Sequence, residues 1–227
     1  GKKFVPGEDL EATQPLLRPI KHTPQIAHHL EEDPRFLKNY FWADGTTRVS
    51  SRDYSGLVES KCTQSNKLWC GSCHAVHGNQ AVNQLARGAD GDAACVGCHP
   101  AIGAAVAKHT HHAAGSLGSR CYNCHMPYTV YGLLKAIRNH RIDSPVVTGR
   151  AGGDERPNAC NLCHLDRSLQ WTAQKLAAWY GRPVPAGLDD TPAGPAWLLS
   201  GDAILRAVAA WQYGWAGAQA ATNVKAQ

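Results

Sequence analysis

The sequence predicts a mainly α-helical fold with extensive loops and little or no β-sheet, on three observations. Glycine and proline are frequent, at 22 and 13 of 227 residues. Aromatic residues make up only 7% of the chain, which leaves little material for a conventional core. The apolar residues that are present recur at helical spacing, with no alternating strand pattern beside them.

The elements follow in chain order. Residues 1–60 read as an extended N-terminal arm, because Pro6, Pro15, Pro19, Pro24 and Pro34 disfavour a compact helix. Residues 61–164 form the central unit. Within it PAIGAAVAKHTHHAAG (100–115) reads as an alanine-rich helix ending near Gly115, and GSLGSR as the loop after it. YTVYGLLKAIRNH (128–140) reads as a further helix, ended by RIDSP. Residues 165–227 read as a helical cap carrying five of the seven tryptophans. Its helices are SLQWTAQKLAAWY and DAILRAVAAWQYGW, joined by the linker GRPVPAGLDDTPAG.

The central unit carries the chemistry. Eight of nine cysteines fall in pairs, and a histidine follows each pair: Cys70, Cys73 and His74; Cys95, Cys98 and His99; Cys121, Cys124 and His125; Cys160, Cys163 and His164. C-x-x-C-H is the attachment signature of c-type haem. Two thiols three positions apart lie on one face of a helical turn and reach the two vinyl groups on one porphyrin edge. The histidine directly after them ligates the iron from the proximal side. Zinc could use the cysteine pairs but leaves four trailing histidines unexplained, and a thioredoxin-like redox pair needs one motif in a βαβ setting. Four haem c groups are therefore the expected cofactors, and the hydrophobic interior is expected to be largely haem. Cys62 is left over, as a small buried residue or a free thiol.

Four irons call for distal ligands. Met126 is the single methionine and directly follows His125, so it is expected to pack, and most irons are expected to be bis-histidine. Eight histidines lie outside the motifs. His77, one helical turn beyond His74, can reach a neighbouring haem. His109 and His112 share a helix face, about 60° apart, while His111 points elsewhere. His140 closes the predicted helix over 128–140. His28 and His29 in the arm point in different directions and complete the preferred set, with His22 and His111 competing. Saturated irons pass electrons but have no open site for a substrate. With methionine scarce, low potentials are expected. The competing reading is a multihaem reductase with one open iron acting on a nitrogen or sulfur oxyanion; eight spare histidines for four vacancies argue for the electron carrier.

Other classes are excluded. The net charge of +5 is unclustered, with Lys2–Lys3 the only basic doublet, so no nucleic acid partner is expected. The apolar stretch from Ala203 to Ala221 is broken by Arg206, Gln212, Gly214 and Gln219, so no transmembrane segment is expected. GKKFVPGEDL has no apolar core of a signal peptide, and the chain reads as a mature product.

The stretches YFWADGTTRVSSRDYSGLVESKC, CGSCHAVH, HTHHAAGSLGSRCYNCHMPY and RPNACNLCH give the chain a resemblance to the multihaem, tetrahaem c-type cytochromes over roughly residues 40 to 180. The resemblance implies haem attachment outside the cytoplasmic membrane, in the periplasm or extracellularly, electron transfer, and bis-histidine irons. It implies redox-partner proteins or extracellular electron acceptors as partners. Some tetrahaem relatives polymerise into extracellular conducting filaments in which one subunit lends a histidine to its neighbour's haem. Two readings of the arm stay open here: it wraps its own subunit, or it lends His28 or His29 to a second copy and builds a homopolymer.

Overall fold

The computed structural model describes residues 3, 5–13, 16–19, 23–50, 52–65, 67–75, 77–78, 83–149, 154–199 and 202–221; His22 lies outside the described residues. Short helices and loops dominate, and the strands form a single two-stranded sheet among the described residues.

The arm is not uniformly extended. Helix α1 runs Pro24–Glu32, with Pro24 in its first turn and the Thr23 hydroxyl accepting from the Ile26 amide at 3.5 Å. Proline in the first turn costs no intrahelical bond, so Pro24 starts a helix where the sequence reading saw a breaker. Ile26 packs with Phe36, at the start of α2 (Phe36–Tyr40), and with Phe41 in a small core of its own.

Helices α3 (Asp53–Val58) and α4 (Lys61–Gln64) lead to the first motif, and α5 (Ala93–Val96) opens the second. The predicted helix over 100–115 is broken into α6 (Pro100–Ala104) and α7 (Val106–Thr110). Ala105 between them is non-helical, and His111 ends α7 in the left-handed region at φ 58°. Alanine-rich segments this short are marginal without a packed face, so tertiary contacts decide where they stop. His109 is therefore the helix's contribution, and His112 belongs to the turn beyond it.

Helix α8 spans Cys121–His125. The segment after it is a hairpin, not the predicted helix. Strands β1 (Tyr128–Gly132) and β2 (Lys135–Arg138) pair antiparallel, with Gly132 opposite Lys135 and a register shift between Tyr128 and Val130. Tyr128, Thr129, Val130, Tyr131 and Ile137 favour strand, and that β-preference outweighed the helical spacing. The two-residue turn is Leu133–Leu134, both at positive φ (51° and 61°). His140 thus follows a strand.

Four helices close the chain: α9 (Leu169–Tyr180), α10 (Ala193–Leu199), α11 (Ala203–Gly214) and α12 (Ala216–Ala221). Ser168 caps α9, accepting from the Trp171 amide at 3.1 Å, and Gly181 ends it at φ 64°. Asp202 caps α11, accepting from the amides of Ile204 and Leu205 at 2.9 and 3.1 Å. Helix α11 buries Leu205, Val208, Ala209 and Gln212, one stripe at helical spacing, against both strands. With Trp42, Leu162, Leu165 and Trp197 this stripe forms a conventional core, so the cap has a protein interior of its own. Trp42 ties that core to the hairpin through its indole N–H, 2.9 Å from the Thr129 carbonyl. Arg48, 1% exposed, is paired with Asp202 and anchors the start of α11 to the segment before α3.

Candidate haem-attachment sites

Each motif is a single tight turn. In the first, Cys70–Ser72 form a 3-10 turn and the His74 amide bonds the Cys70 carbonyl at 2.9 Å. The second and fourth repeat that bond, His99 to Cys95 at 3.0 Å and His164 to Cys160 at 2.9 Å. The third is α8 itself. Side chains fix where the turns begin. Asp92 Oδ1 accepts from the Cys121 amide at 2.8 Å, and Asn158 Oδ1 accepts from the Cys160 amide at 2.8 Å. Asn161, fully buried between the fourth pair of cysteines, donates to the Arg167 carbonyl and accepts from the Thr172 hydroxyl of α9 at 2.6 Å.

Three of the proximal histidines face a second imidazole. His74 and His140 have ring centroids 6.2 Å apart at 32° between planes; His125 and His109, 6.2 Å at 12°; His164 and His112, 6.1 Å at 26°. An iron midway between two imidazoles, bonded to each at about 2 Å as in other metal–imidazole bonds, separates the ring centroids by about 6 Å. The pairs are therefore spaced for an atom between them, too far apart for ring contact and too close for an intervening side chain.

The second nitrogens are also spoken for. His125 Nδ1 lies 2.7 Å from the Asp143 carbonyl, and His112 Nδ1 lies 2.7 Å from the Thr110 carbonyl. A carbonyl only accepts, so each Nδ1 carries the proton and each Nε2 keeps its lone pair for a metal. His140 Nδ1 sits 3.0 Å from Asp53 Oδ1 without the angle of a formed hydrogen bond, and the Asp53 carboxyl is held below its ordinary range chiefly by its interaction with His140, against the opposing effect of burial. Burial, then His125, lowers the pKa of His109; burial, then His112, lowers that of His164. Both effects favour the neutral, ligating imidazole.

The thiols are suited to a neutral bond. Burial, and then the neighbouring Cys121, pushes Cys95 up to about 12; burial, then Cys124, pushes Cys160 and Cys163 up to about 12 each. Cys124 is pushed up to about 11 by burial and then Cys121. Thiols held protonated are poor zinc ligands and poor redox nucleophiles, whereas a thioether carries no charge to desolvate. The same influences trace a line of near neighbours, from Cys95 to Cys121 and from Cys124 to Cys160 and Cys163, so successive motifs adjoin.

Residues 62–104 match the family model for the doubled CXXCH motif. That segment holds the first two motifs, and the doubled motif indicates covalently bound haem c. No curated protein and no solved structure matches the chain. Among the described residues no helix is long and apolar enough to cross a membrane.

The remaining site residues are not brought together. Cys98 and His99 are exposed, as is His77, and among the described residues neither imidazole faces another. His28 lies 3.6 Å from Glu32 and His29 stacks on Phe36 at 4.4 Å; neither ring contacts a motif histidine. His111 stacks on Trp179 at 4.2 Å, and the neighbouring Tyr180 hydroxyl donates to the His109 carbonyl, so α9 clamps the segment carrying two distal imidazoles. Trp171 lies 5.2 Å from His164, while Trp197 packs in the core. Met126 is half-buried, and Cys62 is a half-buried free thiol. Sequence reasoning missed Asp53, Asp92 and Gly118. A Cβ on Gly118 would lie 2.3 Å from His112 Cδ2, so glycine there leaves room for the imidazole. The only trace of this in the sequence was the loop GSLGSR.

Proposed function

We propose that the chain binds four haem c groups at Cys70/Cys73, Cys95/Cys98, Cys121/Cys124 and Cys160/Cys163, mostly bis-histidine, and relays electrons along them. The observation that carries this reading is the set of three imidazole pairs at 6.1–6.2 Å. Haem iron supplies a one-electron ferric–ferrous couple. The chain supplies everything that keeps that couple in place: proximal His74, His99, His125 and His164, and distal His140, His109 and His112. For the second motif no imidazole is paired with His99 among the described residues, and the candidates for its distal side are His77 within the haem unit and His22, His28 and His29 of the arm.

Close spacing follows from the chain itself. His109 and His112 are three residues apart and face different motifs, so the third and fourth groups are neighbours; the contact between Cys95 and Cys121 supports the same for the second and third. A saturated, closely spaced series suits relay between redox-partner proteins or extracellular acceptors, in the periplasm or outside the cell. Residues 1–60 are the arm, 61–164 the haem unit and 165–227 the cap. A second copy meeting the exposed second motif through the arm would extend the relay from chain to chain.

Covalent haem is counted directly. The denatured protein should keep its pyridine-haemochrome absorbance at four equivalents per chain, with nothing extracted by acid–acetone. A count of two would confine haem to the doubled motif. High-spin ferric iron at the second motif would favour the reductase reading.

A further inference from the structure

We propose that Arg138 is the fixed positive charge that sets the potentials of the haems at the third and fourth motifs. The proposal rests on haem attachment at those two motifs. Arg138 ends β2, and its guanidinium is held on all sides. Nη1 donates to the carbonyls of Tyr122 and Met126 at 2.9 and 3.1 Å, and Nη2 donates to Asn123 Oδ1 at 2.8 Å. The rings of Tyr122 and Tyr128 cover it, 4.2 and 4.1 Å from the guanidinium carbon to the ring centroids.

None of these partners carries a charge. All 18 acidic side chains of the sequence belong to the described residues, and none forms an ion pair with Arg138. The most buried arginines are paired: Arg48 with Asp202, and Arg156 with Asp143 and Asp44. Arg138 is half-buried, and even partial desolvation of a guanidinium without a carboxylate is unfavourable, since arginine does not escape by losing its proton. The missing negative charge is what a haem brings, at about −1 in the ferric and about −2 in the ferrous state with both propionates ionised.

Position selects which haems feel the charge. Arg138 bonds the backbone of the third motif at Tyr122 and Met126. Arg138 also lies close to Cys163, so the fourth motif is within reach of the same charge. Reduction adds one electron at a site beside Arg138, supplied by the redox partner, with no bond made or broken and no proton taken from the guanidinium. A fixed cation favours the more negative, reduced state.

Spectropotentiometric titration of the holoprotein tests this, with the haem count measured on every variant. In Arg138→Gln two of the four haems should become harder to reduce by about tenfold in equilibrium constant, which is 59 mV for a one-electron couple. Arg138→Lys keeps the charge and should retain most of the wild-type potential. Asn123→Asp leaves Arg138 in place but hands it a carboxylate, and should lower the same two potentials. Titrations that superimpose on wild type in the glutamine variant at full haem count overturn the proposal. So does a lysine variant that falls as far as glutamine, because that marks a packing role. Should the glutamine variant lose haem, Asn123→Asp decides, and unchanged potentials there overturn the proposal. A wild-type chain with no haem at the third and fourth motifs fails at the underlying reading instead, and the haem count separates that case.

Discussion

The proposed distal ligation depends on residues outside the ligand set. His112 leaves its helix at His111, turns its Nδ1 onto the Thr110 carbonyl, and lays its ring over Gly118. A methyl group at residue 118 would collide with ring carbons rather than with the free end of a flexible chain, and the Nδ1 bond prevents easy retreat. Gly118→Ala should therefore detach His112 and convert one ferric haem from low to high spin, leaving the haem count unchanged; magnetic circular dichroism or electron paramagnetic resonance reads both states. The candidate proximal histidines are legible in the sequence, because attachment chemistry places them beside the cysteines. The distal choice between His111 and His112 was legible only as a helix-face argument. The structure brings His112 to His164 by a left-handed residue and a glycine, which no helical wheel contains.

At the scale of elements, the hairpin β1–β2 is where a period-based reading failed. Its turn, Leu133–Leu134, is 86% and 89% exposed and holds two left-handed leucines. Left-handed backbone costs about 1–2 kcal/mol per residue for anything but glycine, asparagine or aspartate. A sequence reader looks for Asn-Gly at such a turn and, finding Leu-Leu, extends a helix through it. Replacing Leu133 by Asn and Leu134 by Gly should raise the unfolding free energy by about 1–2 kcal/mol in urea titration, with spectra unchanged. An unaltered midpoint would mean that the turn is not strained. Helices α9 and α11 were legible for the opposite reason: Ser168 and Asp202 cap them, and their buried residues keep helical spacing. In the arm, Pro24 shows that a proline has to be read by its position within a helix and not by its presence.

The whole molecule divides its interior between two kinds of filling. The cap and hairpin surround Trp42, Leu165, Trp197, Leu205 and Val208, all 2% exposed or less. The motifs, by contrast, are short turns that bring imidazoles together in pairs. Composition alone could not separate the two, because it averages over the chain while five of the seven tryptophans fall in its last quarter. A Cys121→Ala, Cys124→Ala variant, lacking the third haem, should lose amide protection by about tenfold or more over α6 to α8 while α9 to α11 keep theirs. Equal loss in both regions would show that the cap also depends on haem. The proposed relay requires imidazoles that meet across an iron. The most direct measurement is the low-temperature electron paramagnetic resonance spectrum of the fully oxidised protein. With planes 12° to 32° apart, it should show rhombic low-spin ferric signals of near-parallel bis-imidazole type for at least three haems per chain. High-spin ferric signals at two or more haems would contradict it.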